Sequence, residues 1–265
     1  MTRIQFTKLS ATGNDFILID NRELGLGADD ATFFQNICQR RTGVGADGVL
    51  LFDEEAKHAF SLRYFNSDGS QAGCGNGARA AAYYAYVNDL TDAEMTFEFN
   101  GDIFLASVNG SDVKVRFPEA RNLKTGLNVF EGHEFEEGGF VDTGVPHFVL
   151  FGRHLAGAEV VELGRQYRHH AAFQPDGTNV DFVQIESENA IAVRTYERGV
   201  EEETLSCGTG VVASALFATL SKRTSWPVQV QTRGGVLLVS KEGGGALHLS
   251  GRVDLIYSGV LDHVP

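Results

Sequence analysis

The sequence predicts a mixed α/β protein of two related domains, and three observations carry that expectation. Short strand-like runs recur along the chain, separated by glycine and polar breaks. Two alanine- or valine-rich helical segments are each entered through a Cys-Gly-x-Gly step, at Cys74 and at Cys207. Each of those steps follows a strand that ends on a Tyr-x-x triplet, Tyr64-Phe65-Asn66 in one half and Tyr196-Glu197-Arg198 in the other.

In chain order, "RIQFTKLSA" and "DFILID" alternate or run apolar as short strands do, and "FFQNICQRR" has helical spacing. "VLLF", "FSLRYF", "MTFEFNG", "IFLASVNG" and "DVKVRF" continue the strand pattern, interrupted by the helix "NGARAAAYYAYVNDL" with Asn88 and Asp89 near its end. Pro118 and the polar stretch "PEARNLKTG" mark the domain boundary, giving domains over 1–118 and 119–251. Beyond it, "GFVDTGVPHFVLF", "DFVQI" and "AIAVRTYE" read as strands and "GVVASALFATLSKR" as a helix. "VQVQTRGGVLLVS" and "ALHLSGRVDLIYSGVL" close the chain as strands. "GNDFILID" and "GTNVDFVQI" each set an asparagine beside a strand, which extends the likeness of the halves and implies two domains facing each other.

Composition narrows the partners. Lys and Arg number 22 against 35 Asp and Glu, a net charge of −13, the wrong sign for holding nucleic acid or anionic lipid by an overall field. A small-molecule substrate is the expected partner. "MTRIQFTKLSATGNDF" contains no apolar run long enough for a signal peptide, and no later stretch reaches the roughly 20 apolar residues that span a bilayer. The expected setting is cytoplasmic, where the three cysteines stay reduced.

A cysteine at a helix mouth feels backbone N–H groups and the positive end of the helix dipole, which favour its thiolate. The same N–H groups, uncovered where glycine has no side chain, receive a carboxylate. Two such mouths, one per domain, would grip one carboxylate with a sulfur on each face of the adjoining carbon, so that one thiolate removes a proton while the opposite thiol delivers another. Cys38, inside a helical segment without a glycine partner, reads as a buried apolar residue. Zinc would need more ligands than these spacings offer, and His169-His170 has no partner motif, so no metal is expected. "GVGADG", residues 43–48, fits G-x-G-x-x-G but follows a helix and precedes a strand, the reverse of a dinucleotide fingerprint; it reads as a tight glycine turn.

"TGNDF", "FNSDGSQAGCGNGAR", "GVPHFV", "GTNVDFV" and "RTYERGVEEETLSCGTG" together resemble the diaminopimelate epimerases. The resemblance implies two pseudo-symmetric α/β domains, each a barrel-like, mostly antiparallel sheet around a central helix, with the last strand, about 252–265, returning to the first domain. It also implies interconversion of LL- and meso-diaminopimelate without pyridoxal phosphate, metal or other cofactor, and a homodimer. By the same resemblance Cys74 and Cys207 are the acid and base pair, and the backbone of Gly75, Asn76, Gly208 and Thr209 receives the reacting carboxylate. Asn14, Asn66, Asn179 and Arg198 grip the substrate, with Arg198 suited to bidentate capture of the distal carboxylate. Glu197 and His147 lie near the reacting centre and support it.

Val145 stands where several such proteins have asparagine, and Gly48 where some have an amide side chain, which weakens distal-end recognition. Three rivals stay open: another cofactor-independent racemase, acting for example on histidine or proline; an isomerase of the phenazine-biosynthesis type, which lacks the cysteine pair; and a non-catalytic binding protein on the same fold.

Overall fold

The computed structural model describes residues 2–127, 129 and 135–263. The chain forms two compact units, Met1–Arg116 with Gly251–Pro265, and Phe117–Ser250. The last two residues of the returning strand expected at about 252–265 lie outside the described residues.

The first unit contains strands β1 (Thr2–Ala11) and β2 (Asn14–Asp20), helix α1 (Ala31–Cys38), β3 (Gly48–Asp53), β4 (Ser61–Asn66), helix α2 (Gly75–Val87), β5 (Glu94–Phe99), β6 (Asp102–Asn109) and β7 (Asp112–Arg116). The second contains β8 (Arg121–Lys124), β9 (Glu136–Asp142), β10 (Pro146–Phe151), helix α3 (Val160–Arg168), β11 (Asn179–Ser187), β12 (Ala190–Glu197), β13 (Glu202–Thr204), helix α4 (Gly208–Leu220), β14 (Val228–Thr232) and β15 (Gly235–Glu242). A final strand, β16 (Ala246–His263), pairs with β15 through residue Ser250 and with β1 from Val253 onward.

In the first unit the strand order β1-β2-β3-β4-β5-β6-β7-β16 returns to β1 and closes a barrel. The second unit repeats the pairing pattern along β9-β10-β11-β12-β14-β15-β16. β2–β3 and β10–β11 are parallel, β3–β4 and β11–β12 antiparallel, and β4–β5 and β12–β14 parallel again. Both sheets are mixed, with antiparallel pairs in the majority.

Each sheet has a helix on either side. α2 touches β1 to β4, β6 and β7, and α4 touches β9 to β12, β14 and β15, so each runs through the inside of its own sheet. Their sequences explain this position. α2 is built on alanine stubs, and α4 is buried on every side from Gly208 to Ala218, as a helix without a polar face must be. α1 covers the outer face of β2 to β4, where Phe34, Ile37 and Cys38 join Ile17, Val49 and Phe65 in one apolar cluster. α3 does the same for β10 to β12 through Val160 and Tyr167 packed with Phe148 and Phe182. Cys38 belongs to this outer core, and burial pushes its thiol up to about 12.

Two expected single strands are hairpins. "GFVDTGVPHFVLF" turns at Thr143–Val145, where Thr143 N–H donates to the Val145 carbonyl, and "VQVQTRGGVLLVS" turns at Arg233-Gly234. The glycines in both runs were the overlooked turn signal. α3, with only Val160, Gly164 and Tyr167 buried, was not anticipated because its apolar stripe is thin. No helix of the described residues is long and apolar enough to cross a membrane.

Candidate active site

In the first unit, Asn14 opens β2 directly after a two-residue turn whose central residues, Thr12 and Gly13, both have positive φ (55° and 85°), as a type I′ hairpin requires. The turn delivers the Asn14 amide to the mouth of α2. Cys74 is the N-cap of that helix, in extended conformation and 8% exposed; its sulfur accepts the Gly77 N–H at 3.3 Å. The Asn14 Oδ1 receives both the Cys74 thiol at 3.6 Å and the Asn76 Nδ2 at 3.3 Å. Asn14 Nδ2 donates to Asp47 Oδ2 at 2.7 Å, which fixes which end of the amide faces the cysteine.

Asp47 lies in the "GVGADG" turn and also accepts the Asp15 N–H at 3.1 Å and Arg40 at 2.7 Å. Burial, and then the neighbouring Asp15 charge, push its carboxyl above the ordinary range. Burial acts on Asp15 too, but hydrogen bonds and charge from Arg40 and Lys8 outweigh it and hold that carboxyl low. Asn66 ends β4; its Nδ2 donates to Ser70 Oγ at 3.0 Å in the loop leading to Cys74.

In the second unit, Cys207 caps α4 in the same extended conformation and is 6% exposed. Its sulfur lies 3.3 Å from Thr209 Oγ1, which lies 2.8 Å from His147 Nε2. His147 Nδ1 is 2.7 Å from Asp181 Oδ2, and Asp181 Oδ1 accepts the Thr195 hydroxyl at 2.7 Å. All five side chains are buried. With Asp181 ionised and the ring neutral, the polarity of the chain is fixed: Nδ1–H donates to Asp181, Nε2 accepts from Thr209, and Thr209 Oγ1 accepts from the Cys207 S–H. Gly210 makes this approach possible, because a Cβ there would meet Asp181 Oδ1 at 2.3 Å.

The helix dipole does not prevail at Cys207. Burial, followed by the charges of Glu197 and Asp181, raises its thiol well above the ordinary value, with the Gly210 N–H acting the other way. The expectation of a favoured thiolate at both helix mouths therefore fails at this one. Desolvation of a fully buried sulfur exceeds the stabilisation of roughly 1 kcal/mol that a helix end supplies.

Glu197, at the end of β12, accepts the Thr204 hydroxyl at 2.8 Å. Asn179 bridges two segments, with Nδ2 donating to the Pro146 carbonyl and Oδ1 accepting the Arg198 N–H, each at 2.8 Å. Arg198 lines a cavity of about 650 Å³ with Val145, Pro146, Phe140, Asp176 and Gly177. Burial, then the charge of Arg168, lowers its guanidinium below the usual arginine value. Three groupings result: Asn14, Cys74 and Asn76; His147, Cys207 and Thr209; Asn179 with Arg198. Gly75 and Gly208 are the first residues of their helices, beside the capping cysteines.

Residues 6–122 and 139–255 match the family described as diaminopimelate epimerase, one cysteine-capped helix in each matched stretch. The chain belongs to the diaminopimelate epimerase family. A relative of that name from Aquifex aeolicus is 41% identical over 97% of this chain and 98% of its own length. One from Chlorobaculum tepidum is 37% identical over 96% and 99%. Among solved structures, a PhzF-family phenazine biosynthesis protein from Bacillus anthracis superposes with a TM-score of 0.73 at 14% identity, covering 99% of this chain and 100% of that one. A hydroxyproline epimerase from Agrobacterium vitis gives 0.73 at 14%, covering 98% and 92%; both likenesses are of fold.

Within this family frame, Gly48 is more than a truncated contact. A Cβ there would sit 2.4 Å from the Phe65 carbonyl and 2.4 Å from the Tyr64 ring, so Tyr64 occupies the space a longer side chain would need. The sequence reading missed Asp47, Arg79 and Asp181 as part of the site. All three lie inside the motifs "GVGADG", "CGNGAR" and "GTNVDFV"; for Arg79 and Asp181 the signal is a charged residue inside an otherwise apolar helix or strand, while Asp47, in a turn, carries no such mark.

Proposed function

We propose that this protein interconverts LL- and meso-2,6-diaminopimelate by moving the α-proton between Cys74 and Cys207, supplying meso-diaminopimelate for lysine and peptidoglycan synthesis. The observation that carries the reading is the repeated helix mouth: a buried cysteine caps a glycine-entered helix in each of two halves, and both halves match the epimerase family. One sulfur, as thiolate, takes the α-proton; the electron pair left on carbon delocalises into the carboxylate; the other sulfur, as thiol, delivers its proton to the opposite face. Product therefore leaves the two sulfurs with their protonation exchanged.

The N–H groups at Gly75, Asn76, Gly208 and Thr209 receive the reacting carboxylate, whose charge grows in the transition state. Asn14 and Asn66 hold the substrate from the first unit, Asn179, Glu197 and Arg198 from the second, and Arg198 takes the distal carboxylate in the cavity beside Val145. His147 supports Cys207 through Thr209. Neither pyridoxal phosphate nor a metal has a part in this scheme. The expected setting is the reducing cytoplasm.

Proton NMR of LL-diaminopimelate in D2O, with reduced protein and no added cofactor, is expected to show loss of the α-proton signal together with appearance of the meso isomer. A folded sample that exchanges histidine or proline but leaves diaminopimelate untouched would transfer the reading to another racemase of this fold.

A homodimer is part of the proposal. Leu255, Ile256, Tyr257 and Val260, all between 42% and 54% exposed along β16, support it as apolar side chains in want of cover. Sedimentation is expected at twice the chain mass, and Ile256→Lys to halve it; a parent protein sedimenting as a monomer would remove the dimer.

A further inference from the structure

Arg79 follows Cys74 by little more than one turn of α2, and its side chain is completely buried inside the barrel of the first unit. Every acceptor it meets is neutral. Nη2 donates to Asn76 Oδ1 at 2.7 Å and to Thr12 Oγ1 at 3.2 Å, Nη1 to the Arg252 carbonyl at 3.3 Å, and Nε is buried without a partner. Among the described residues no carboxylate makes an ion pair with it.

A buried guanidinium held only by neutral acceptors has lost its hydration without gaining an anion, a costly arrangement that chains rarely keep without use. The acceptor it grips most closely leads to the cysteine: Asn76 donates to Asn14 Oδ1, and that oxygen receives the Cys74 sulfur at 3.6 Å. Asp112 on β7 acts on Arg79 through space, and the Asp47, Asp15, Lys8 and Arg40 group stands behind Asn14. β6 and β7 bury Phe104, Ala106, Val113 and Val115 instead.

The second unit has the opposite sign. The position that corresponds to Arg79, counted from Cys207, is the buried Val212, and the charged groups acting on Cys207 are the carboxylates of Glu197 and Asp181.

We propose that Arg79 is the buried counter-charge of Cys74, a positioning residue through which Cys74 ionises before Cys207, giving up its S–H bond to Asn14 Oδ1 as it does so. The assignment rests on the reading of the two cysteines as base and acid, and it gives the free enzyme a preferred face for the first proton removal. A positive charge nearby favours the anionic form of a thiol and so lowers the pH at which it ionises. The reciprocal effect is present at Arg79, whose guanidinium burial lowers to about 10 while the Cys74 anion acts to raise it.

The test is the pH dependence of iodoacetamide alkylation at each cysteine, followed by peptide mass in the full-length reduced protein without substrate. In the parent protein Cys74 is expected to react with a lower midpoint than Cys207; the reverse order would overturn the proposal, and this measurement needs no variant to fold. Arg79→Met, which keeps length and removes charge, is expected to raise the Cys74 midpoint by about one pH unit or more and leave the Cys207 midpoint in place. Arg79→Lys is expected to restore most of the shift. An unmoved Cys74 midpoint in folded Arg79→Met, or a lysine variant displaced as far as the methionine one, would show that Arg79 acts by shape alone. Because alkylation requires no turnover, failure to epimerise diaminopimelate would count against the proposed substrate and leave this result standing.

Discussion

Alanine at either Cys74 or Cys207 is expected to lower epimerisation by about 10³-fold or more, because in the proposed scheme each substitution removes the acid or base on one face of the carbon. The two variants differ in what survives. With Cys207 replaced, the Cys74 sulfur still removes and returns a proton on its own face, so one stereoisomer exchanges its α-proton with D2O without inverting. With Cys74 replaced, the other isomer does so. Measuring exchange and inversion in the same NMR sample separates the two, and parent-rate inversion by either single variant would end the two-base scheme. Misfolding is not the expected cause of the loss. The Cys74 sulfur takes the Gly77 N–H as a helix cap, an interaction whose removal costs roughly 0.5–2 kcal/mol, whereas α2 is held by burial along Gly75–Ala82. Serine can keep the cap at position 74 and at either position is expected to retain low activity, since a hydroxyl is a far weaker acid and base than a thiol.

The halves of the fold were legible because each repeats the same order of strand, turn, cysteine and buried helix. α2 and α4 announced themselves by small or apolar residues on every side, a pattern that only an enclosed helix tolerates. The hairpins at Thr143–Val145 and Arg233-Gly234 are marked only by short glycine-containing breaks, "DTG" and "TRGG", between apolar runs that a single-strand reading joins. The places of Cys74 and Cys207 at two helix mouths were legible from the local sequence. Their protonation was not, since residues distant in sequence bear on it: Arg79, the counter-charge proposed for Cys74, finds Thr12 and the Arg252 carbonyl, and Asp181 bears on Cys207 by its charge and through His147 and Thr209. A helix end is visible in the sequence neighbours of Cys207, whereas burial, the largest influence on its thiol, is set by the whole fold.

Asp181→Asn should expose that long-range control with two responses of opposite direction. Asp181 Oδ1 accepts from Thr195 and Oδ2 from His147. Asparagine keeps the shape and can still accept from Thr195, but it then turns its NH2 toward His147, where Nδ1 must become the acceptor. The ring proton moves to Nε2 and donates to Thr209 Oγ1, and the Thr209 hydroxyl swings to donate toward the Cys207 sulfur. Both the lost negative charge and the new donor favour the thiolate, so Cys207 ionises at lower pH than in the parent. Alkylation of Cys207 at neutral pH should therefore become faster. Epimerisation should become slower, by about 100-fold, because the sulfur that must deliver a proton has lost it in a larger share of the molecules and the imidazole has the wrong tautomer to restore it. A merely structural role for Asp181 would depress both rates together or neither. Thr209→Val, which keeps the backbone N–H and deletes the hydroxyl, should cut the chain at its middle, so that adding Asp181→Asn to it no longer shifts the Cys207 midpoint through hydrogen bonding and leaves only the smaller effect of the lost charge. If the two substitutions instead add in full, His147 and Asp181 act on Cys207 only through space and the hydrogen-bonded relay is wrong.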